Sequence, residues 1–369
     1  MNAKLSKFLL SIVKSNFNYL NLSQQKNLAD LIFAFFFNTS FALWDIASGL
    51  SGEISTKQKN KRLIYFLDSF EIDVRFWKSV LLTVFSLPGF KWKKIKVLTL
   101  ALDATTLKDD YWMLAVTISY KGRGIPILIK SWKGVHDKYN YWARVEETLR
   151  DLKEIIPPKF KYEVVADRGF QGDVLFSLFE KLGMSYIIRV NDCYRVQVDK
   201  NGTYIQLSLF KDGFYPIENF GVKKKTKGMN LVVNTNVENP DTPRWYLSTN
   251  ISETAHEIVS KYKQRFWIEE SFKDLKSKLH WEKYTKKIPT NGRLEKCIAI
   301  SSLSYSIQMG IGKELNMSDS EMKITSVFNK FRQTFRRGTQ ELENIVNKFS
   351  IYLSIYVKRY QILFSPNFG

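Results

Sequence analysis

The sequence predicts an α/β protein: a mixed sheet with helices on both faces, flanked by helical regions at each end. Three observations predict it. Apolar residues recur at helical spacing up to residue 90 (Leu28, Leu31, Ile32, Phe35, then Leu63, Phe66, Leu67, Phe70). From residue 95 the pattern changes to short apolar runs interleaved with helical segments. Helical spacing returns at residue 253 and continues to about residue 364.

Composition narrows the class of partner. With 44% hydrophobic and 25% charged residues over 369 positions, the chain is globular rather than disordered and long enough for two or three domains. Lys and Arg number 56 against 36 Asp and Glu, so the net charge is 56 − 36 = +20. So basic a protein attracts a polyanion, and nucleic acid is the usual one. Cys193 and Cys297 form no paired zinc motif and are expected as core thiols of a cytosolic protein. His136, His256 and His280 are expected at the surface or in packing, so any metal must sit on oxygen ligands. Lys4, Lys7 and Lys14 surround an apolar stretch at 8–13 that is too short for a signal peptide. The apolar run 31–37 falls far below the ~18 to 20 residues that span a bilayer. A soluble, cytoplasmic protein without a membrane segment is expected.

The elements follow in order. Residues 1–90 form a helical domain, in which Lys57, Lys59, Lys61 and Arg62 lead into a helix. That cluster suits a DNA-binding module, and equally a solvated basic face. Residues 91–192 hold an apolar run ending at Asp103, strands at 111–120 and 125–130 joined by a turn at 121–124, and a helix at 139–155 stopped by Pro157 and Pro158. A strand at 162–166 ends at Asp167, and a helix at 172–182 and a strand at 186–190 follow. The order strand-strand-strand-helix-strand-helix-strand is that of the ribonuclease-H-like fold. Its first and fourth strands are parallel neighbours, which would bring Asp103 and Asp167 close enough to share a metal. Residues 193–250 read as a β-rich insertion with strands at 194–198, 204–210, 231–237 and 245–248, and a hairpin at Asn201 and Gly202. Its loop with Lys223, Lys224, Lys225 and Lys227 suits a phosphate backbone or plain solvation. Residues 251–290 carry a helix from 253 to 280 with Ser252 as its N-cap, completing the catalytic domain. Residues 291–369 are a helical region with Arg332, Arg336 and Arg337, a candidate for dimerisation.

The helix from 253 concentrates the chemistry. At about 100° per residue, Tyr262, Arg265, Glu269 and Lys276 share an arc of roughly 60°. Ile268, Phe272, Leu275 and Leu279 make the apolar stripe beside them, and Glu270, Lys273, Asp274 and Lys278 fall toward water. Glu269, rather than Glu270, therefore borders the buried face and can approach Asp103 and Asp167. Cleaving a phosphodiester requires an activated water and a neutralised leaving oxygen, which two Mg²⁺ ions supply together. Mg²⁺ prefers hard oxygen ligands. Carboxylates gathered without metal repel one another, by on the order of 4 kcal/mol for a pair at about 4 Å and an effective dielectric of 20. Acids clustered on so basic a chain make best sense as a metal site, with Arg265 and Lys276 suited to phosphate oxygens.

Tyr262, Arg265, Glu269 and Lys276 fit Y-x2-R-x3-E-x6-K, which resembles the signature of bacterial insertion-sequence transposases of family four. Residues 102–106 resemble the first acidic motif of that family, residues 166–170 the second, and residues 245–250 the strand before its signature helix. The resemblance spans about 96–280. It implies Asp103, Asp167 and Glu269 as catalytic ligands of two Mg²⁺ ions, with Mn²⁺ able to substitute. It implies Tyr262, Arg265 and Lys276 on DNA phosphates near the cut, Arg168 beside the second acid on DNA, and Trp245 where some relatives stack a flipped base. The implied reaction is cut-and-paste transposition: nicking, attack by the freed 3′-OH, often a hairpin, then strand transfer. The partners are double-stranded DNA, both element ends and target, bridged by a homodimer at the bacterial nucleoid. A ribonuclease-H-like nuclease without strand transfer, or an inactive domesticated DNA-binding copy, shares most of these features.

Overall fold

In the computed structural model, the residues described are 2–37, 42–50, 52–87, 90, 96–107, 111–134, 138–158, 160–221, 229–235, 244–279, 281 and 292–314. Five helices open the chain: α1 (Asn2–Asn16), α2 (Leu22–Phe37), α3 (Leu43–Gly49), α4 (Thr56–Ser69) and α5 (Val74–Ser86). The residues that predicted them, Leu28, Leu31, Ile32 and Phe35 in α2 and Leu63, Phe66, Leu67 and Phe70 in and after α4, are all buried. A reciprocal Ser55–Gln58 capping box starts α4, so the basic cluster occupies its first two turns.

The sheet begins with β1 (Val97–Leu107), β2 (Tyr111–Tyr120) and β3 (Arg123–Lys133), followed by α6 (Lys138–Ile155), β4 (Lys161–Ala166), α7 (Asp173–Leu182) and β5 (Ser185–Val190). Their spatial order is β3-β2-β1-β4-β5. The β1/β4 and β4/β5 pairs are parallel; β1/β2 and β2/β3 are antiparallel. This is the ribonuclease-H-like arrangement with the neighbours the sequence predicts. The turn between β2 and β3 is tighter than expected. Only Lys121 and Gly122 form it, with φ of 46° and 83°, the left-handed pair that suits a two-residue hairpin. Arg123 and Gly124 therefore belong to β3.

Six further strands follow: β6 (Arg195–Gln197), β7 (Ile205–Gln206), β8 (Gly213–Ile217), β9 (Asn219–Phe220), β10 (Met229–Asn234) and β11 (Trp245–Thr249). β6 pairs with β7 across the expected hairpin and with β9 on its other side, making a small sheet. β11, β10 and β8 instead continue the main sheet beyond β5, making eight strands. The expected strand at 204–210 is mostly not one, since Leu207–Leu209 is a 3-10 turn. The lysine loop at 223–227 and the arginines at 332–337 lie outside the described residues.

The helix expected from 253 to 280 is divided. α8 (Ala255–Lys263) and α9 (Phe266–Lys273) are separated at Gln264 and Arg265, and a π-helical turn (Asp274–Lys278) follows α9. Its cap is Thr254 in a box with Glu257, rather than Ser252. The π turn shows in the bond from the Leu279 N–H to the Asp274 carbonyl, five residues back, at 3.2 Å. Asp274 also departs from expectation, because Arg123 of β3 and Tyr305, from the last described helix, close over it. Instead of facing water it is buried, and its carboxylate takes the Arg123 Nε–H at 2.9 Å.

α10 (Arg293–Glu314) lies inside the protein, packed on α2, α5 and β3. Its buried serines are satisfied within reach: Ser301, Ser302 and Ser306 donate to carbonyls of their own helix and Ser304 to Ile32 of α2. One apolar core thus runs from Leu5 to Ile311, joining the first helices to the sheet. Cys297 is in that core, but Cys193 is exposed, against expectation, because it follows the last residue of β5 into a turn. His256 is exposed as expected, and His136 and His280 lie outside the described residues. Among the described residues no helix is long and apolar enough to cross a membrane.

The contact between β3 and α9 is tight at Gly124. Its N–H donates to Ser271 Oγ at 2.8 Å, and a methyl group there would stand 2.5 Å from Thr117 Oγ1 and 3.1 Å from Ile268 Cα. Gly124→Ala is expected to push α9 off the sheet, costing about 1 to 3 kcal/mol of stability, measurable as a lowered Tm. An unchanged Tm would show that α9 has room to retreat.

Candidate active site

The site is built at the end of the parallel β1/β4 ladder. That ladder runs from Val97↔Lys161 to Leu102↔Ala166 and then stops, because β4 ends while β1 continues to Leu107 against β2. Asp103 is thus inside a strand, not at its end as the apolar run suggested. Asp167 is the next residue of β4's own chain, turned out as the cap of a 3-10 turn (Arg168–Phe170), its side chain accepting the Gly169 N–H at 2.8 Å. The departing chain opens the crevice that forms beyond the carboxyl ends of parallel strands, and both carboxylates sit in it.

Their electrostatics show the strain of that placement. Burial pushes the Asp103 carboxyl up to about 7, with Asp167 and Glu269 raising it further, while Arg265 and the Ala104 N–H pull it down. Asp103 therefore sits where its negative charge is under-compensated.

The α8–α9 segment brings the remaining groups. Arg265, at the break, is buried; its guanidinium lies 3.5 Å from Asp103 Oδ2 and donates to Glu269 Oε1 at 2.6 Å. It also stacks 4.4 Å over the Phe266 ring. Arg265 thus links Asp103 to Glu269. Glu269 and Glu270 are equally exposed, at 44% of their side chains. Direction separates them, since Glu270 pairs with Lys273 on the outside. Lys276, in the π turn, donates to Thr105 Oγ1 at 2.6 Å. Thr105 is two residues beyond Asp103 on β1 and so shares its face of the sheet. Further along, Lys261 of α8 bonds to buried Glu163 of β4 at 2.7 Å, holding this helix to the sheet.

Other expected residues lie differently. Tyr262 is fully buried, and its hydroxyl has no hydrogen-bond partner among the described residues. Burial pushes that phenol up to about 12, against the pull of Arg265 and Arg189. Trp245 is 5% exposed, its ring edge-on to Tyr262 at 5.2 Å and beside Phe266 at 5.9 Å. Arg168 is exposed beside Asp167. Two neighbours escaped the sequence. Thr105 was within the quoted acidic segment, and strand alternation alone would have paired it with Asp103. Tyr141 of α6, whose hydroxyl feels the charges of Asp103 and Asp167, had no sequence signal, because only the packing of α6 brings it there.

Among the described residues no three acids, histidines or cysteines stand together as a ready metal-binding group. Two hard carboxylates abreast, one held near neutrality by burial and acidic neighbours, do fit a divalent cation. Asp103 and Asp167 would hold it, with Glu269 a third oxygen donor once Arg265 releases it.

Fold and site together define a ribonuclease-H-like protein with an acidic crevice flanked by cations. The family described as Transposase DDE domain matches residues 143–289, which include Asp167 and Glu269 but not Asp103. The match supports a transposase, an enzyme of DNA recombination. No curated protein matches the chain. Among solved structures, the crystal structure of Marinitoga piezophila Argonaute with 5′ OH guide RNA and target DNA is 12% identical, with a TM-score of 0.26. The match covers 59% of this chain and 33% of that one, too loose a likeness to bear on the fold.

The raised Asp103 pKa has a consequence for stability. Its folded pKa exceeds the ordinary 3.8, so the ionised form opposes folding; the contribution of Asp103 to stability is greatest below about pH 4 and is lost as pH rises through about 7. Calorimetry should show Asp103→Asn gaining Tm over wild type at pH 8 but not at pH 4, with Mg²⁺ raising the wild-type Tm chiefly at the higher pH. A pH-independent difference between the two proteins would contradict this.

Proposed function

We propose that the chain is a DNA transposase that excises an insertion sequence and joins it to target DNA by metal-dependent strand cleavage and strand transfer. The observation that carries this is the adjacency of Asp103 and Asp167 at the end of the parallel ladder, with Arg265, Glu269 and Lys276 delivered to the same crevice. The family match over residues 143–289 supports the transposase class. Asp103, Asp167 and Glu269 are the residues to hold two Mg²⁺ ions, or Mn²⁺ in their place. Such ions activate the attacking oxygen and neutralise the leaving one.

The chain's own groups have separable roles. Arg265 acts as counter-ion to Asp103 and Glu269, and its fork can turn to phosphate once those carboxylates are otherwise balanced. Lys276 offers a point charge beside Asp103's face of β1. Exposed Arg168 extends the cationic rim along the DNA. Tyr262 and Trp245 pack against each other beneath Arg265, so their first contribution is to hold its stem and the break in the helix. Double-stranded DNA is the partner, with a homodimer bridging two element ends.

The test uses labelled duplexes taken from the DNA on either side of the reading frame, searched for inverted repeats, with supercoiled plasmid and Mg²⁺. Joined products are expected from the wild type. Asp103→Ala, Asp167→Ala and Glu269→Ala are expected to lose cleavage by at least about a thousandfold, more than one interaction's worth of transition-state stabilisation, while DNA binding survives. Cleavage without joining would leave a nuclease, and normal cutting by Glu269→Ala would identify the wrong carboxylate. Replacing Lys276 by Ala should lower the log–log salt slope of binding by about one; an unchanged slope argues against a phosphate contact.

A further inference from the structure

The buried stripe of α6 ends in a tyrosine. Val145, Leu149 and Leu152 recur at four- and three-residue spacing and are buried, and Tyr141 continues that stripe into the first turn of the helix. Lys130 of β3 fixes α6 against the sheet, pairing with Glu147 at 2.9 Å and Asp151 at 2.6 Å. The Tyr141 ring is held on several sides. Between ring centroids, Trp112 of β2 and Trp142 each lie 5.4 Å away, Phe170 6.3 Å and Trp132 of β3 6.5 Å. Phe170 stands in the turn that Asp167 caps, so the ring packs against the chain that carries the second acid.

The strand register shows from which side Tyr141 approaches. Thr106 pairs with Trp112 and Trp112 with Trp132, so these side chains share one face of the sheet. Asp103 and Thr105 lie an odd number of residues from Thr106 and point to the other face, where Arg265 and Lys276 meet them. Beyond Ala166 the chain of β4 has left the ladder, and no strand separates the two faces beside Asp103 on that side. Through that gap the Tyr141 hydroxyl feels the charges of both Asp103 and Asp167.

Phenylalanine would fill this aromatic cage as well; tyrosine adds a hydroxyl. That hydroxyl makes no hydrogen bond among the described residues and is not sealed from solvent. A phenol packed among rings ordinarily finds a partner. Among the described residues, Asp103 is met by the Ala104 N–H and Arg265, and Asp167 by the Gly169 N–H, rather than by this phenol. Burial, and then the charges of the two acids, raise its pKa, so it keeps its proton and is a donor. What it lacks is an acceptor placed in the crevice.

We infer that Tyr141 is a further catalytic residue, its hydroxyl donating a hydrogen bond to a non-bridging oxygen of the scissile phosphate from the face opposite Arg265 and Lys276. A donor fixed in advance needs no reorganisation as charge builds on that oxygen. The four surrounding rings supply the fixing. The inference rests on the proposed strand cleavage and deepens it with a group outside the acids and the α8–α9 segment.

The test is single-turnover cleavage of the flanking-DNA duplexes by the full-length protein with Mg²⁺. Wild type is compared with Tyr141→Phe, which keeps the ring and removes only the hydroxyl. Tm and duplex affinity in EDTA are expected to stay at wild-type values, while the cleavage rate falls roughly a hundredfold. The reaction is then repeated on duplexes carrying sulfur in place of either non-bridging oxygen at the mapped cut. Sulfur accepts hydrogen bonds poorly, so Tyr141→Phe should shift the ratio of the two diastereomers' rates by about tenfold from that of wild type. A slow variant with the wild-type ratio would show the hydroxyl acting through the acids, not on phosphate, and overturns the inference. So does a variant that cuts at the wild-type rate, and a lowered Tm would mark the hydroxyl as structural and count against it. A wild type that cuts none of these duplexes sinks the proposed function and this inference with it, whereas the other failures leave that function standing.

Discussion

β4 ends at Ala166 while β1, its parallel neighbour, runs on for five more residues against β2, and the rest of the site follows from that mismatch. Where β4 turns away, Asp103 loses a ladder partner on one side and gains the Asp167 carboxylate instead. Two like charges in a half-buried crevice are unfavourable unless something positive answers them. The raised Asp103 pKa shows how incompletely the protein alone does so.

Arg265 is the answer supplied by the chain. It comes from the break between α8 and α9, and it spans Asp103 and Glu269 with one guanidinium. Around it, Tyr262, Trp245 and Phe266 form an aromatic bed that keeps the stem buried. Asp274, where α9 passes into the π turn, pairs with Arg123 out of reach of water and so fastens the segment bearing Lys276 to the edge strand β3. Such a pair specifies position more than it adds net stability, because desolvating both charges offsets most of their attraction.

The first helices are not a loose appendage to this sheet. α10 runs between them and β3, and its inward serines bond to its own carbonyls and to α2. Asp68 at the end of α4 receives a two-pronged bond from Arg293 at the start of α10. The first helices are therefore joined to the sheet through packed, hydrogen-bonded elements.

Much of this was legible beforehand. The order of strands and helices from 97 to 190 follows from period-two and period-3.6 patterning, which are local properties, and so the parallel pairing of β1 with β4 could be foreseen. The grouping of Arg265, Glu269 and Lys276 could also be foreseen, because residues sharing one helix arc are set by spacing. Their actual geometry could not. Whether a helix stays wound at Gln264 and Arg265, or adds a residue at Asp274, depends on what it packs against, and Gly124, Arg123 and Tyr305 come from far along the chain. The same holds for β8, β10 and β11. Alternation marked most of β10 and β11 as strand but none of β8, and only the exposed edge of β5 decided that all three would extend the main sheet. Sequence by itself determined which residues carry charge, which faces are apolar and in what order the elements come. Tertiary structure decided which charges meet, because ion pairs and strand partners are long-range contacts that no local pattern encodes.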